Sequence, residues 1–166
     1  GDTDLHFQIF DENGDSYAED NIALGAAGAD QVSDPSLAFR PMRGPITGFQ
    51  LGASFDRESV GEDAVRGVRI AALGTVFGEF DAGQNNHTAR NSDNAMVGAG
   101  VAADMATVFE FSDGFGADPG ILARITNPDG DSVITLEVAD EGTDPHIASR
   151  GDRYMVVWRE ADGDIM

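Results

Sequence analysis

Apolar and polar residues alternate with a period of two along much of the chain, the spacing of a half-buried strand. Leu5, Phe7 and Ile9 fall on one face of such a strand, with His6, Gln8 and Phe10 on the other. Val68–Leu73, Ile121–Ile125 and Val133–Val138 read as further strands. Tyr154-Met155-Val156-Val157-Trp158 is continuously apolar, the pattern of a strand covered on both faces. Helical patterning is poor: the longest permissive stretch, Val60–Ala72, contains Gly61 and Gly67 and ends in a β-branched run. Between the strands lie hairpin signals, Asp11-Glu12-Asn13-Gly14-Asp15, Asn127-Pro128-Asp129-Gly130-Asp131 and Asp162-Gly163-Asp164, with glycine available for positive φ. The expected class is all-β.

Two markers recur. Asp34-Pro35-Ser36-Leu37-Ala38 returns as Asp144-Pro145-His146-Ile147-Ala148, and Asp93-Asn94-Ala95-Met96-Val97 is read as a degenerate copy between them. Each leads through a glycine-containing turn to an apolar strand carrying aromatics, ending at Phe55, Phe111 and Trp158. The second marker is a hairpin, Phe10-Asp11-Glu12-Asn13-Gly14 and Ile125–Gly130, with a weaker copy at Phe80-Asp81-Ala82-Gly83. Units of about 25–92, 93–143, and 144–166 plus 1–24 follow, each the size of one four-stranded propeller blade. The expected architecture is β-propeller-like, with three four-stranded blades and one blade closed by N- and C-terminal strands. Three blades are too few for a ring. Such a chain forms a six-bladed homodimer, belongs to a longer protein, or is a smaller sandwich whose repeats imitate blades.

The Asp-Pro entry, the strand Tyr154–Trp158, the Asp-Gly-Asp turn and Phe10-Asp11-Glu12-Asn13-Gly14 resemble the repeats of β-propeller segments in large secreted bacterial proteins. The resemblance covers 144–166 plus 5–15 best. Phe55 and Phe111 stand where those repeats usually have Trp. It implies a propeller and a secreted or periplasmic location, because many such proteins carry calcium-binding repeats and leave by type I secretion. It implies no activity.

Charge narrows the partners. The 166 residues carry 30 acidic and 10 basic side chains, all ten of them arginine, for a net charge of −20. Phosphate backbones and anionic lipid surfaces repel such a chain, so neither nucleic acid nor a membrane is an expected partner. With no cysteine there is no disulfide, thiolate nucleophile or zinc–thiolate site. No apolar run reaches the ~20 residues of a membrane-spanning helix, and the N-terminal residues lack the pattern of a signal peptide.

Candidate chemistry is sparse. Asp11, Asn13 and Asp15, with Asp129 and Asp131 and with Asp162 and Asp164, place carboxylates close together, as calcium requires. No glutamate follows at the twelfth position of an EF-hand loop, and the same residues also make good turns. Of three histidines, His146 stands at an expected inner-strand entry. Phe115, in a glycine-rich loop, is a candidate for stacking on a sugar ring, and Arg150, like Arg40 and Arg43, for holding an anion. Gly-x-Ser-x-Gly and helical zinc motifs are absent. The expectation is a non-catalytic binding or assembly module with calcium as its cofactor. A glycan-binding propeller or a glycoside hydrolase with paired carboxylates is the alternative.

Overall fold

The computed structural model describes residues 5–8, 10, 13, 15–16, 22–24, 31–39, 49–59, 62–71, 76–83, 88–97, 104–112, 119–127, 129–160 and 164–166. All of its regular elements are strands paired antiparallel, so the chain is all-β. A short pair, β1 (Leu5–Phe7) and β2 (Ile22–Leu24), comes first. Next is a four-stranded sheet of β3 (Gln31–Phe39), β4 (Phe49–Ser59), β5 (Glu62–Ala71) and β6 (Val76–Asp81), in that order. A second contains β7 (Thr88–Val97), β8 (Asp104–Ser112), β9 (Gly120–Thr126) and β10 (Ser132–Ala139). The last pair is β11 (Thr143–Arg150) with β12 (Arg153–Arg159). The strands β3, β7 and β11 pack side by side in order. Among the described residues no strand pairing joins one sheet to another, and the sheets meet through side chains.

The stretch with helix-permissive residues is β5. Its Val65, Val68 and Ile70 are buried, and β-branched side chains pack well on a pleated surface. The two four-stranded sheets meet through two apolar groups. Val65 and Ala82 of the first sheet's side join Ala89, Phe109 and Leu122, while Ala38 joins Met96 and Met105. The second sheet packs on the last pair through Ala95, Ala106, Val108, Ala123 and Ile147, flanked by Tyr154 and Val156. On its other face the first sheet gathers Val32, Ala53, Phe55, Val68 and Ile70, and Phe7 of β1 packs there.

Each of β3, β7 and β11 has a register break at the same place: Ser33/Ser36 in β3, Arg90/Asp93 in β7 and Thr143/His146 in β11. The first residue skipped has positive φ in every case, Asp34 at 48°, Asn91 at 51° and Asp144 at 50°. Asp and Asn tolerate this left-handed conformation better than other residues with a side chain. The middle repeat is therefore Asn91-Ser92-Asp93-Asn94, two residues earlier than the sequence suggests, and the expected boundary at 92/93 falls inside β7. The registers also set the aromatics. Ser33 lies opposite Asp56, Arg90 opposite Glu110 and Thr143 opposite Arg159. Phe55, Phe109 and Trp158 precede these residues, so Phe109 rather than Phe111 is the middle equivalent.

The hairpin marker is corrected likewise. Phe10 pairs with Ser16, Thr126 with Ser132 and Ile70 with Val76, each pair enclosing five residues. The third such pairing joins β5 to β6, and Phe80-Asp81-Ala82-Gly83 instead straddles the end of β6. One further expectation fails. In the strand Tyr154–Trp158 only one face is packed, and Met155 is 65% exposed on the other.

Candidate functional site

The three bulges converge on one depression of about 340 Å³, lined by Asp34, Asn91, Ser92, Asp144, Pro145 and His146. At two of the bulges, those of Asn91 and Asp144, a carboxylate of the preceding sheet receives the backbone N–H. Asp56 of β4 accepts from the Asn91 N–H on one oxygen and from the Ser92 N–H on the other, the latter at 3.3 Å. Glu110 of β8 does the same one sheet later, accepting from the Asp144 N–H at 2.8 Å. It also accepts from the Asn91 side-chain amide at 2.8 Å and from Arg90 Nε at 3.3 Å. A buried carboxylate facing several N–H donors is a strong, directional hold.

A second relay runs along the same strands. Ser36 Oγ donates to the Asp93 carboxylate and accepts from the Asn94 N–H at 3.3 Å. One unit on, Asp93 accepts from the Ile147 N–H at 2.9 Å. Ser36, Asp93 and His146 each follow their bulge directly, so the relay repeats with different side chains. His146 Nδ1 stands 3.4 Å from the same Asp93 carboxylate.

Burial pushes the Asp56 carboxyl up to about 6, against the lowering effect of its hydrogen bonds with Ser92 and Asn91. A raised carboxyl can serve as a general acid. Here both oxygens are turned to backbone donors and the residue is 7% exposed, which makes it a positioning group for the bulge. In the last pair the equivalent of Asp56 and Glu110 is Arg159, whose guanidinium lies 2.6 Å from Asp144 Oδ2.

Of the residues singled out in the sequence, His146 lies in the depression, with its side chain largely exposed. Arg150 is exposed at the end of β11, in register with Arg153. Asp129 and Asp131 sit in a turn built by Asn127, whose side-chain oxygen accepts from their N–H groups at 3.0 and 2.9 Å. Asn13, Asp15 and Asp164 are exposed. Asp11, Asp162, Phe115, Arg40, Arg43 and His87 lie outside the described residues. Among the described residues no three His, Asp or Glu side chains converge as a metal cage.

Asn91, Asp56, Glu110 and Arg159 are absent from the candidates drawn from sequence. The usable signal is the residue after each repeat aromatic, in Phe55-Asp56, Phe109-Glu110 and Trp158-Arg159. No family model, no curated protein and no solved structure matches the chain.

Proposed function

We propose that the chain is a non-catalytic β-propeller module of a secreted bacterial protein, acting by binding and assembly. In this reading its three units are blades, two chains close a six-bladed ring, and its acidic turns and bulges bind calcium. The carrying observation is the threefold recurrence of one device: a left-handed Asp or Asn at the bulge of β3, β7 and β11, strands that pack in order. Repetition of a whole unit against its neighbour is the logic of propellers. For calcium, support comes from the net charge of −20 and from the lining of one depression by Asp34, Asn91 and Asp144. Calcium takes six to eight oxygen ligands and is served by carboxylates and amides together.

Thermal melts in saturating calcium and then in excess chelator test the ion. Binding restricted to the native state adds about 2.7 kcal/mol at one hundred times the dissociation constant, or roughly 5–10 °C for a chain of this size. Coincident melts would reject calcium as the ligand.

A further inference from the structure

We infer that a second copy of this chain covers the open face of β11–β12, with Arg159 of one copy meeting the Asp34 bulge of the other. The inference rests on the ring reading above and specifies its closing contact. Between consecutive sheets the same three contacts occur twice. An acid beside the repeat aromatic takes the next bulge's N–H, as Asp56 does for Asn91 and Glu110 for Asp144. The residue after the bulge takes the next N–H along, as Ser36 does for Asn94 and Asp93 for Ile147. Apolar groups fill the space between.

Following the registers one step further gives the third junction. The giving side has Arg159, His146 and Met155 at the positions of Glu110, Asp93 and Ala106. The receiving side has Asp34, Leu37 and Leu51 at the positions of Asp144, Ile147 and Tyr154.

These groups are complementary. An arginine cannot accept an N–H, but Asp34 presents a carboxylate, so the hold becomes a guanidinium–carboxylate pair. His146 takes the position from which Asp93 holds the Ile147 N–H, and an imidazole ring nitrogen can accept the Leu37 N–H there. Met155 and Leu37, 65% and 61% exposed, are two large apolar side chains that the third junction would bury together.

Space for this partner is already shaped. Phe7 packs on the outer face of the first sheet, and β1 contacts β3. Ile125 and Val138, from the third and fourth strands of the second sheet, pack likewise on the apolar group that includes Ile147 of β11. In this arrangement the β1–β2 pair takes the place of two outer strands, and among the described residues none stands at the two inner places beside Leu37, which is 61% exposed. A β11–β12 pair from another copy has the strand number and order to fill them, and exchange of such elements is a low-cost route to a closed C2 ring.

Light scattering across a concentration series, with circular dichroism as the folding control, tests this. Wild type is expected at twice the chain mass. Met155→Asp and Leu37→Asp, at positions exposed in the single chain, should keep their spectrum and weaken the dimer about 100-fold. Asp34→Asn, which keeps a side chain that tolerates the left-handed bulge, should weaken it about tenfold, as should Arg159→Gln. A monomeric wild type overturns both the ring and this contact. A dimer indifferent to all four variants overturns the contact and leaves assembly standing.

Discussion

The junction between the two four-stranded sheets and the junction between the second sheet and the last pair share one backbone scheme and differ in filling. Both use a buried acid on the left-handed bulge and a side chain two residues later on the next N–H. At the first junction Asn94 donates to Ser54 Oγ at 3.1 Å and to the Ser36 carbonyl at 2.9 Å. At the second, Ile147 and Val108 occupy those positions and make an apolar contact. Geometry is thus set by backbone N–H groups and acids, while the space between is filled by polar or apolar groups interchangeably. The first junction also tolerates close approach: a Cβ on Gly52 would come 2.5 Å from Met105 Sδ, so glycine leaves room for that sulfur.

The largest effect should come from emptying the shared core. Phe109→Ala, at a residue with no exposure, is expected to cost about 3–5 kcal/mol by denaturant unfolding. Ile147→Ala, slightly exposed at the second junction, should cost toward the lower end of about 2–5 kcal/mol. Equal losses would mean that the two junctions are packed alike.

Removing the acids probes the scheme itself. Glu110→Ala and Asp56→Ala each leave hydrogen-bond donors without their acceptor, at about 1–3 kcal/mol. The two should separate with pH. The native Asp56 carboxyl, pushed up to about 6, holds its proton where the unfolded one, near 3.8, has lost it. Between pH 4 and 6 the native state therefore binds more protons, and this group's contribution falls as pH rises. The stability gap between wild type and Asp56→Ala should narrow by about 2 kcal/mol from pH 4 to pH 7. A constant gap would exclude a buried, raised carboxyl.

The smallest effect should follow from converting one filling into the other. Asn94→Ile alone takes the amide donor from the Ser36 carbonyl and leaves the Ser54 hydroxyl only its 3.4 Å bond from Ser92 Oγ, at about 1–2 kcal/mol. Adding Ser54→Val should bring the loss back within about 1 kcal/mol, since removing both partners restores a matched surface. Strict additivity of the two substitutions would show that the fillings are not interchangeable.

Strands and turns were legible because their causes are local. Alternation located β9 and β10, a continuous apolar run located β12, and Asp34-Pro35 and Asp144-Pro145 marked two of the bulges. The middle bulge was misplaced because it lacks proline and offers both Asn91 and Asp93 within three residues. Which of the two turns left-handed depends on the register of β7 against β8 and on Asp56, a residue on another sheet. Asp56 and Glu110 stayed hidden for the same reason, since their partners Asn91 and Asp144 lie 35 and 34 residues away.

Composition and period by themselves determined an all-β, strongly acidic chain with repeated entries and turn signals, because each follows from the preferences of neighbouring residues. Tertiary structure alone decided which acids are buried, which bulges they hold, and that β12 keeps one apolar face open. Those outcomes turn on which sheets lie against each other, and no period along a single strand encodes what stands across from it.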